Sequence, residues 1–505
     1  MFGIGHGLNV FVSHAAPFVA AQKSKTASNP VPPGTEYATV QQLGEQMGRL
    51  GAFTAADLVG YLQARIRMLD PALNSVIELN PKALEAAREL DRERASGKVR
   101  GPLHGIPILV KDTVEVEGMQ ASAGAWGLVG APVSKSAPIV QRLIEQGAVI
   151  LGTTNLTEMA GFRGGPDGYS SRGGQTRNPH GADADVGGSS SGSAAAVAAG
   201  LAPLAVGTET NGSIIVPAGL NGVVGLKPSV GLLNREGIMP ASRRQDTPGP
   251  MTRSVLDAAL MLNAMTNDPQ APAGAQAVDY TRQLVPGALL GKRIGYPTTF
   301  SDGATTLPVV NSEQFNQTLE VLRKQGAILV PINMRLADAS RYDELLFGDV
   351  KEELNGYLAK REGLPVKSLK ELIRFNDARE GTQADHQPVL KEIDASTLTP
   401  EQSQAAWDEL LRDFRGTVDE PIKEHNLDSI VSDFDSNSYF GVAAAGYPGI
   451  TVPSGATEDG LPGSAYFFGT AGSEAQLLAV AYGYEQGSQA AIKPKLSAPH
   501  ALANS

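Results

Sequence analysis

The chain has 505 residues, 42% hydrophobic and 19% charged, with a formal net charge of −11; that balance is an ordinary globular one with apolar mass for a large core. No run approaches the roughly 20 uncharged apolar residues of a bilayer-spanning helix, and a negative field without a basic stripe argues against a nucleic-acid ligand. Cysteine is absent, which removes disulfides, thiolate metal sites and thiol nucleophiles together.

Leu8 to Ala21 reads LNVFVSHAAPFVAA, apolar and ending in small residues, and the polar QKSKTASNPVPP follows. It has the apolar and cleavage portions of an export signal without a preceding Lys or Arg. Residues 1–35 are therefore read as a tail, with a cytoplasmic location expected and export to the periplasm as the alternative. From Thr39 to Leu69 the residues Val40, Leu43, Met47, Leu58, Leu62 and Ile66 recur at helical spacing. Gly51 breaks the pattern and Thr54 is placed to cap a second helix. Pro81 to Lys98 reads as another amphipathic helix. Ile108 to Val110 and Ala148 to Gly152 are short apolar runs with a helical stretch, Ile139 to Gln146, between them. Strand, helix, strand implies a parallel pair.

Gly161 to Ser193 is rich in Gly and Ser and nearly free of apolar runs, and a loop of that length inside a domain points to function or disorder. A small-residue helix (Ala194 to Ala199) and a strand (Leu204 to Gly207) follow, then a second loop, TETNGSIIVPAG. Beyond Gly291 come a strand in KRIGYP, a helix from Ser312 to Gln325 and a charged, helix-rich stretch from Ala337 to Leu411. Strand patterns return at Ser429 to Val431, Gly449 to Val452 and Tyr466 to Gly469, before a last helix to Glu485. The late strands are expected to rejoin the early sheet. The expected fold is α/β: one large domain over 36–490, with a mixed, mostly parallel central sheet covered by helices. Its helix-rich part is 290–425, and 491–505 form a C-terminal tail.

The seven histidines are scattered, and none shows an H-x-x-x-H or H-E-x-x-H spacing, so no metal is expected, nor any cofactor. Gly188 to Gly192 (GSSSG) fits the G-x-S-x-G nucleophile elbow, with His425 as a distant base. That elbow needs a strand directly before it, and HGADADVG is none. GGSSSGS could also open a helix toward a phosphate, but the lysine of a phosphate-binding loop is missing.

A third constellation is spread over three segments: GPLHGIPILVKD (Gly101 to Asp112), GGSSSGSAAAVAAG (Gly187 to Gly200) and GTETNGSIIVPAGLNGVVGLKP (Gly207 to Pro228). In this order they resemble the amidase signature family. LNSVIELNP upstream, and QDTPGPMTRSVLDAA, AGYPGITVPSG and LLAVAYGYEQGS downstream, extend the resemblance over Glu36 to Ser488. It implies Ser213 as acylated nucleophile, Lys111 as base, and Ser189 as a bridging serine held by a cis Gly188–Ser189 peptide. It also implies an oxyanion hole from the backbone of Thr210, Asn211, Gly212 and Ser213, and the Ala160 carbonyl as a substrate contact.

The residues by themselves support part of this. With no thiol, the nucleophile must be a hydroxyl. Lys111 ends the apolar run PILV, where burial would disfavour its ammonium. Ser189 and Ser190 are not separable from the residues alone. Four positions depart from the family pattern: Glu209 for Asp, Asn211 for Gly, Ile215 for an Arg two residues after the nucleophile, and Ser191 for Gly.

The expected activity is hydrolysis of carboxamides to acid and ammonia through an acyl-enzyme. FRGG, SSRGGQTRNPH, GTETNGSI and SVGLLNREGIMP resemble the bacterial peptide amidase branch, which implies C-terminal amides of peptides as substrates. The alternatives are aryl or aliphatic amides, or a glutamine-dependent amidotransferase subunit. Ile215 cannot grip a carboxylate as arginine could, which weighs against the glutamine-dependent reading. The expected partner is a small-molecule or peptide amide, with no nucleic acid, no membrane and no obligate partner subunit.

Overall fold

Local signals in the chain set its first elements. Thr39 and Thr54 each form a capping box, with Gln42 and Asp57, and open the helices Val40–Met47 and Ala55–Leu69. Each box satisfies orphan amides at a helix start, and the helices bury the periodic apolar residues expected of them. The computed structural model describes residues 30–49, 52–266, 278–379, 387–436 and 438–496. The proposed export segment, Gly51 and the end of the C-terminal tail lie outside them.

The strands are β1 (Val76–Leu79), β2 (Pro107–Lys111), β3 (Val149–Thr154), β4 (Tyr169–Ser170), β5 (Gly174–Gln175), β6 (Leu204–Glu209) and β7 (Val224–Lys227). They continue with β8 (Thr247–Thr252), β9 (Arg293–Ser301), β10 (Thr306–Pro308), β11 (Ile328–Arg335), β12 (Ser429–Asp433), β13 (Gly449–Ala456) and β14 (Pro462–Phe468). All but β4 and β5, which pair with each other, form a 12-stranded sheet in the order β1-β3-β2-β6-β8-β7-β13-β14-β12-β9-β10, with β11 paired to β9. The late strands β12 to β14 thus rejoin the early sheet, as expected.

The sheet is mixed and helix-covered, in keeping with the α/β expectation. Its parallel share is smaller than expected: β2–β3, β2–β6, β9–β11 and β9–β12 run parallel, and the other pairings are antiparallel. The cause lies in the middle of the sheet, where β8, β7, β13 and β14 turn back on their neighbours. β8 was not expected, since TPGPMT carries two prolines and proline cannot donate to a ladder. It fits because the ladder to β7 covers only Met251 and Thr252, leaving Pro248 and Pro250 beyond it.

β2 and β3 are buried along their whole length, and the helix Pro138–Glu145 between them packs Ile139, Val140 and Leu143 inward. The small-residue helix Ser191–Ala198 is buried on every face. A second apolar cluster, including Tyr342, Leu345, Trp407 and Phe414, lies under the helices Tyr342–Lys360 and Pro400–His425. No described helix is long and apolar enough to cross a membrane.

Candidate active site

Three parallel strands, β3, β2 and β6, end side by side, and open α/β sheets place ligands beyond such carboxyl ends. Lys111 is the last residue of β2 and 0% exposed. Its Nζ lies 2.8 Å from Ser189 Oγ, 2.9 Å from Ser190 Oγ and 3.1 Å from the Thr208 carbonyl of β6. Burial pushes the Lys111 ammonium down to about 7, against weaker upward pulls from Glu209 and Asp246.

The Gly-rich loop delivers the serines. Gly188–Ser189 is cis, as the resemblance implies, and a Cβ at Gly188 would sit 2.3 Å from Asp167 Oδ1 and Thr157 Oγ1, so a side chain there would have to displace both groups. The Ser189 carbonyl accepts from Thr157 N at 3.1 Å, and Ser190 N donates to the Ser213 carbonyl at 3.1 Å. That second bond stitches the serine loop to the loop carrying Ser213. The stretch before the serines is no strand and Ser190 precedes a helix, so the elbow geometry is not formed. His425 ends a distant helix, where its carbonyl receives Arg293. His104 and His180 bond to the carbonyls of Leu90 and Asn221.

Ser190 and Ser189 now separate. Ser190 Oγ donates to the Thr208 carbonyl at 3.1 Å and accepts from Thr208 N at 3.3 Å as well as from Lys111, which uses the capacity of a hydroxyl. Among the described residues Ser189 Oγ has Lys111 as its hydrogen-bond partner, so it keeps capacity for a further one.

Ser213 follows β6 on a short loop and is buried. Among the described residues the backbone N–H groups of Thr210, Asn211, Gly212 and Ser213 find no acceptor, leaving donors for an anionic oxygen. Gly212 has φ 76°, and a Cβ there would meet the Tyr439 ring at 2.8 Å. Glu209 Oε2 accepts from Ile214 N at 2.7 Å and Ile215 N at 3.0 Å, so the substituted carboxylate holds the far side of this loop. Thr210 Oγ1 donates to Asp246 Oδ1 at 2.8 Å. Burial pushes the Asp246 carboxyl up to about 6, although backbone bonds from Ala241 and Ser242 oppose it. Ala160, with φ 56°, lines a cavity of about 20 Å³ together with Thr208, Thr210 and Asp246. Ile215 is fully buried in an apolar cluster that includes Met159 and Met239.

The structure thus places Lys111, Ser189 and the Ser213 loop in one buried neighbourhood, and sets Ala160 on the wall beside Thr208 and Thr210. Sequence reasoning missed Ser190 as a lysine contact, the Thr208 carbonyl, Asp246 and the Asn211 side-chain tether. Ser190, Thr208 and Asn211 lie inside the quoted segments and Asp246 inside QDTPGP, but their contacts are made to residues distant in sequence and carried no local signal. Among the described residues no group of three or more His, Asp or Glu side chains is arranged to hold a metal.

A profile described as Amidase matches residues 57–478. The crystal structure of native peptide amidase from Stenotrophomonas maltophilia is 40% identical with a TM-score of 0.83, covering 92% of this chain and 100% of that one. An Arabidopsis thaliana protein named as a probable amidase is 37% identical over 460 residues, 87% of each chain. A glutamyl-tRNA(Gln) amidotransferase subunit from Chloroflexus aurantiacus is 32% identical over 480 residues, 86% of this chain and 94% of that one.

Proposed function

The chain belongs to the amidase family, and we propose that it works as a serine amidase through Lys111, Ser189 and Ser213, on the C-terminal amides of peptides. One observation carries the catalytic reading: a fully buried lysine whose Nζ touches a serine hydroxyl with spare hydrogen-bonding capacity. A neutral amine has two N–H donors and one lone pair. The Thr208 carbonyl can only accept, and the Ser190 proton is engaged on that same carbonyl. Lys111 therefore donates to both and turns its lone pair to the Ser189 hydroxyl.

The steps follow from that polarity. Ser213 Oγ attacks the carboxamide carbon as its proton passes to Ser189 and the Ser189 proton passes to Lys111. The new C–O bond pushes the carbonyl electron pair onto oxygen, where the N–H groups of Thr210, Asn211, Gly212 and Ser213 are placed to hold it; one such donor is worth about 3 kcal/mol. Collapse of the intermediate breaks the C–N bond. The relayed proton goes to nitrogen, and ammonia leaves. Water then repeats the sequence on the acyl-enzyme, releasing the acid and restoring the Ser213 hydroxyl.

The substrate reading rests on the likeness to the Stenotrophomonas peptide amidase over its whole length and on the buried Ile215, which gives a substrate carboxylate no partner. The Gly-rich loop offers backbone groups for an extended peptide, and specificity for NH₂ would come from steric exclusion beyond the scissile nitrogen. A second reading, ammonia supply within an amidotransferase, is favoured by the likeness to the Chloroflexus protein. Ammonia release from N-blocked dipeptide amides, aryl amides, glutamine and unamidated peptides tests these. The dipeptide amides should turn over fastest, with internal bonds spared. Faster aryl amides, with no gain from a second residue, would remove the peptide specificity. Turnover of glutamine alone, dependent on a second protein, would favour the amidotransferase reading.

A further inference from the structure

We propose that Tyr342 is a positioning residue for the oxyanion hole: its hydroxyl holds the Asn211 side chain and thereby the backbone amides ahead of Ser213. The inference rests on the reading of Ser213 as nucleophile. Asn211 Nδ2 donates to Tyr342 Oη at 2.9 Å and to the Phe440 carbonyl at 3.3 Å. A carbonyl can only accept, so the Phe440 contact fixes which end of the amide faces the tyrosine. Tyr342 Oη in turn donates to Gln245 Oε1 at 3.1 Å and receives Gln245 Nε2 at 3.0 Å. One donor and two acceptor sites are then all in use.

The anchor is rigid for reasons visible around it. Tyr342 opens the helix Tyr342–Lys360, and its ring makes edge contacts with Trp407, Phe414 and Phe440 at centroid separations of 6.3, 6.2 and 5.0 Å. The turn carrying Gln245 is pinned to the same helix, since Arg244 Nη1 reaches Asp349 Oδ1 at 2.7 Å and Ser242 Oγ donates to Asp349 Oδ2 at 2.6 Å. The neighbouring Thr210 is tied to that turn through Asp246. Both residues ahead of Gly212 are thus held by their side chains, and the asparagine departure from the family's usual glycine is what makes the Tyr342 link available. A misplaced catalytic group loses rate through geometry even where binding survives.

Tyr342→Phe keeps the ring and removes the link. For the fastest amide of the panel, kcat should fall about ten- to a hundredfold, less than deletion of a hole donor costs, with KM within about twofold. A peptide aldehyde, which forms a tetrahedral adduct on the nucleophile, should lose affinity by the same factor as kcat, while binding of the product acid stays unchanged. Asn211→Ala should match it, and the double variant should lose no more than either single one, because both cut one link. Unchanged kcat and aldehyde affinity in Tyr342→Phe overturns the proposal, as does a fall in kcat that product-acid binding shares. Additive losses in the double variant also overturn it. A serine-reactive phosphonate adduct on Ser213 in the same preparations shows that such a failure belongs to the Tyr342 link. An adduct elsewhere, or none, brings down the nucleophile reading and the inference with it.

Discussion

On the proposed mechanism the base is the neutral form of Lys111, so activity should fall tenfold per pH unit below about pH 7. Burial lowers its ammonium from 10.5 to about 7, which corresponds to about 5 kcal/mol of preference for the neutral form. An unperturbed lysine would be neutral in only about 0.03% of molecules at pH 7, against roughly half here, a gain of about 10³ in active base. The assay is kcat/KM between pH 5 and 9 on an amide without titrating groups. Asp112 and Asp246, both pushed up to about 6 by burial, titrate nearby, so the profile is repeated in Asp246→Asn. The limb should remain there and move to slightly lower pH, since Asp246 raises the Lys111 value. Stability supplies an independent check. Between pH 7 and 10.5 the unfolded chain binds a proton that the folded one does not, so this group makes stability rise with pH across that window. From pH 7 to 10 wild type should gain about 4 kcal/mol relative to Lys111→Met in urea unfolding. A profile flat down to pH 5, or near-wild-type turnover in Lys111→Arg, would refute the reasoning, because arginine stays protonated.

Ser213→Ala should abolish phosphonate labelling, whereas Ser189→Ala should slow it by orders of magnitude without moving it, as mass spectrometry of the adduct will report; an adduct on Ser190 would revive the elbow. Ser190→Ala removes one partner of Lys111 and of Thr208, so it should cost about 1–3 kcal/mol in denaturant unfolding and less activity than Ser189→Ala. Gly192→Ala would bring a Cβ to 2.4 Å from the Ser75 carbonyl and 2.5 Å from the Asn155 carbonyl. Backbone cannot step aside as a side chain does, so a lower unfolding midpoint by about 1–3 kcal/mol is expected; an unchanged midpoint would mean that this helix start is not packed as described.

What could be read in the sequence was whatever acts over a few residues. Thr54 caps the helix expected of it because a capping box is a local device, and Thr39 opens the preceding helix by the same means. β2 and β3 were legible because strands buried on both faces read as unbroken apolar runs. β8 was not, since its two prolines are tolerated only through where the β7 ladder stops, which is a property of the neighbour. The same division runs through the candidate site. Lys111 at the end of PILV had a local reason to be buried. The choice between Ser189 and Ser190 depends on Thr208, a residue of another strand, whose carbonyl and amide both engage Ser190. The role proposed for Asn211 depends on Tyr342, 131 positions away.

A lysine serving as base, as proposed for Lys111, places demands that the sheet and helix meet together. An imidazole titrates near neutrality without help, but an amine must lose about 5 kcal/mol of ammonium stability first, and only exclusion of water supplies that much. Here the exclusion comes from small residues. Ser191 to Ala198 form a helix with no exposed face, so its backbone approaches the strand ends closely; Gly192 N donates to the Asn155 carbonyl at 3.1 Å and Ser193 Oγ to the Val206 carbonyl at 3.1 Å. Larger side chains would push the helix away and admit water beside Nζ. Dry surroundings, however, leave a neutral amine in need of partners, because an unpaired buried polar group costs more than its hydrogen bond returns. Ser190 and the Thr208 carbonyl take both N–H groups and leave one direction open, toward Ser189. In the proposed mechanism the run of small residues after the serines therefore matters as much as the serines do: it lowers the lysine's proton affinity, and Ser190 aims what remains.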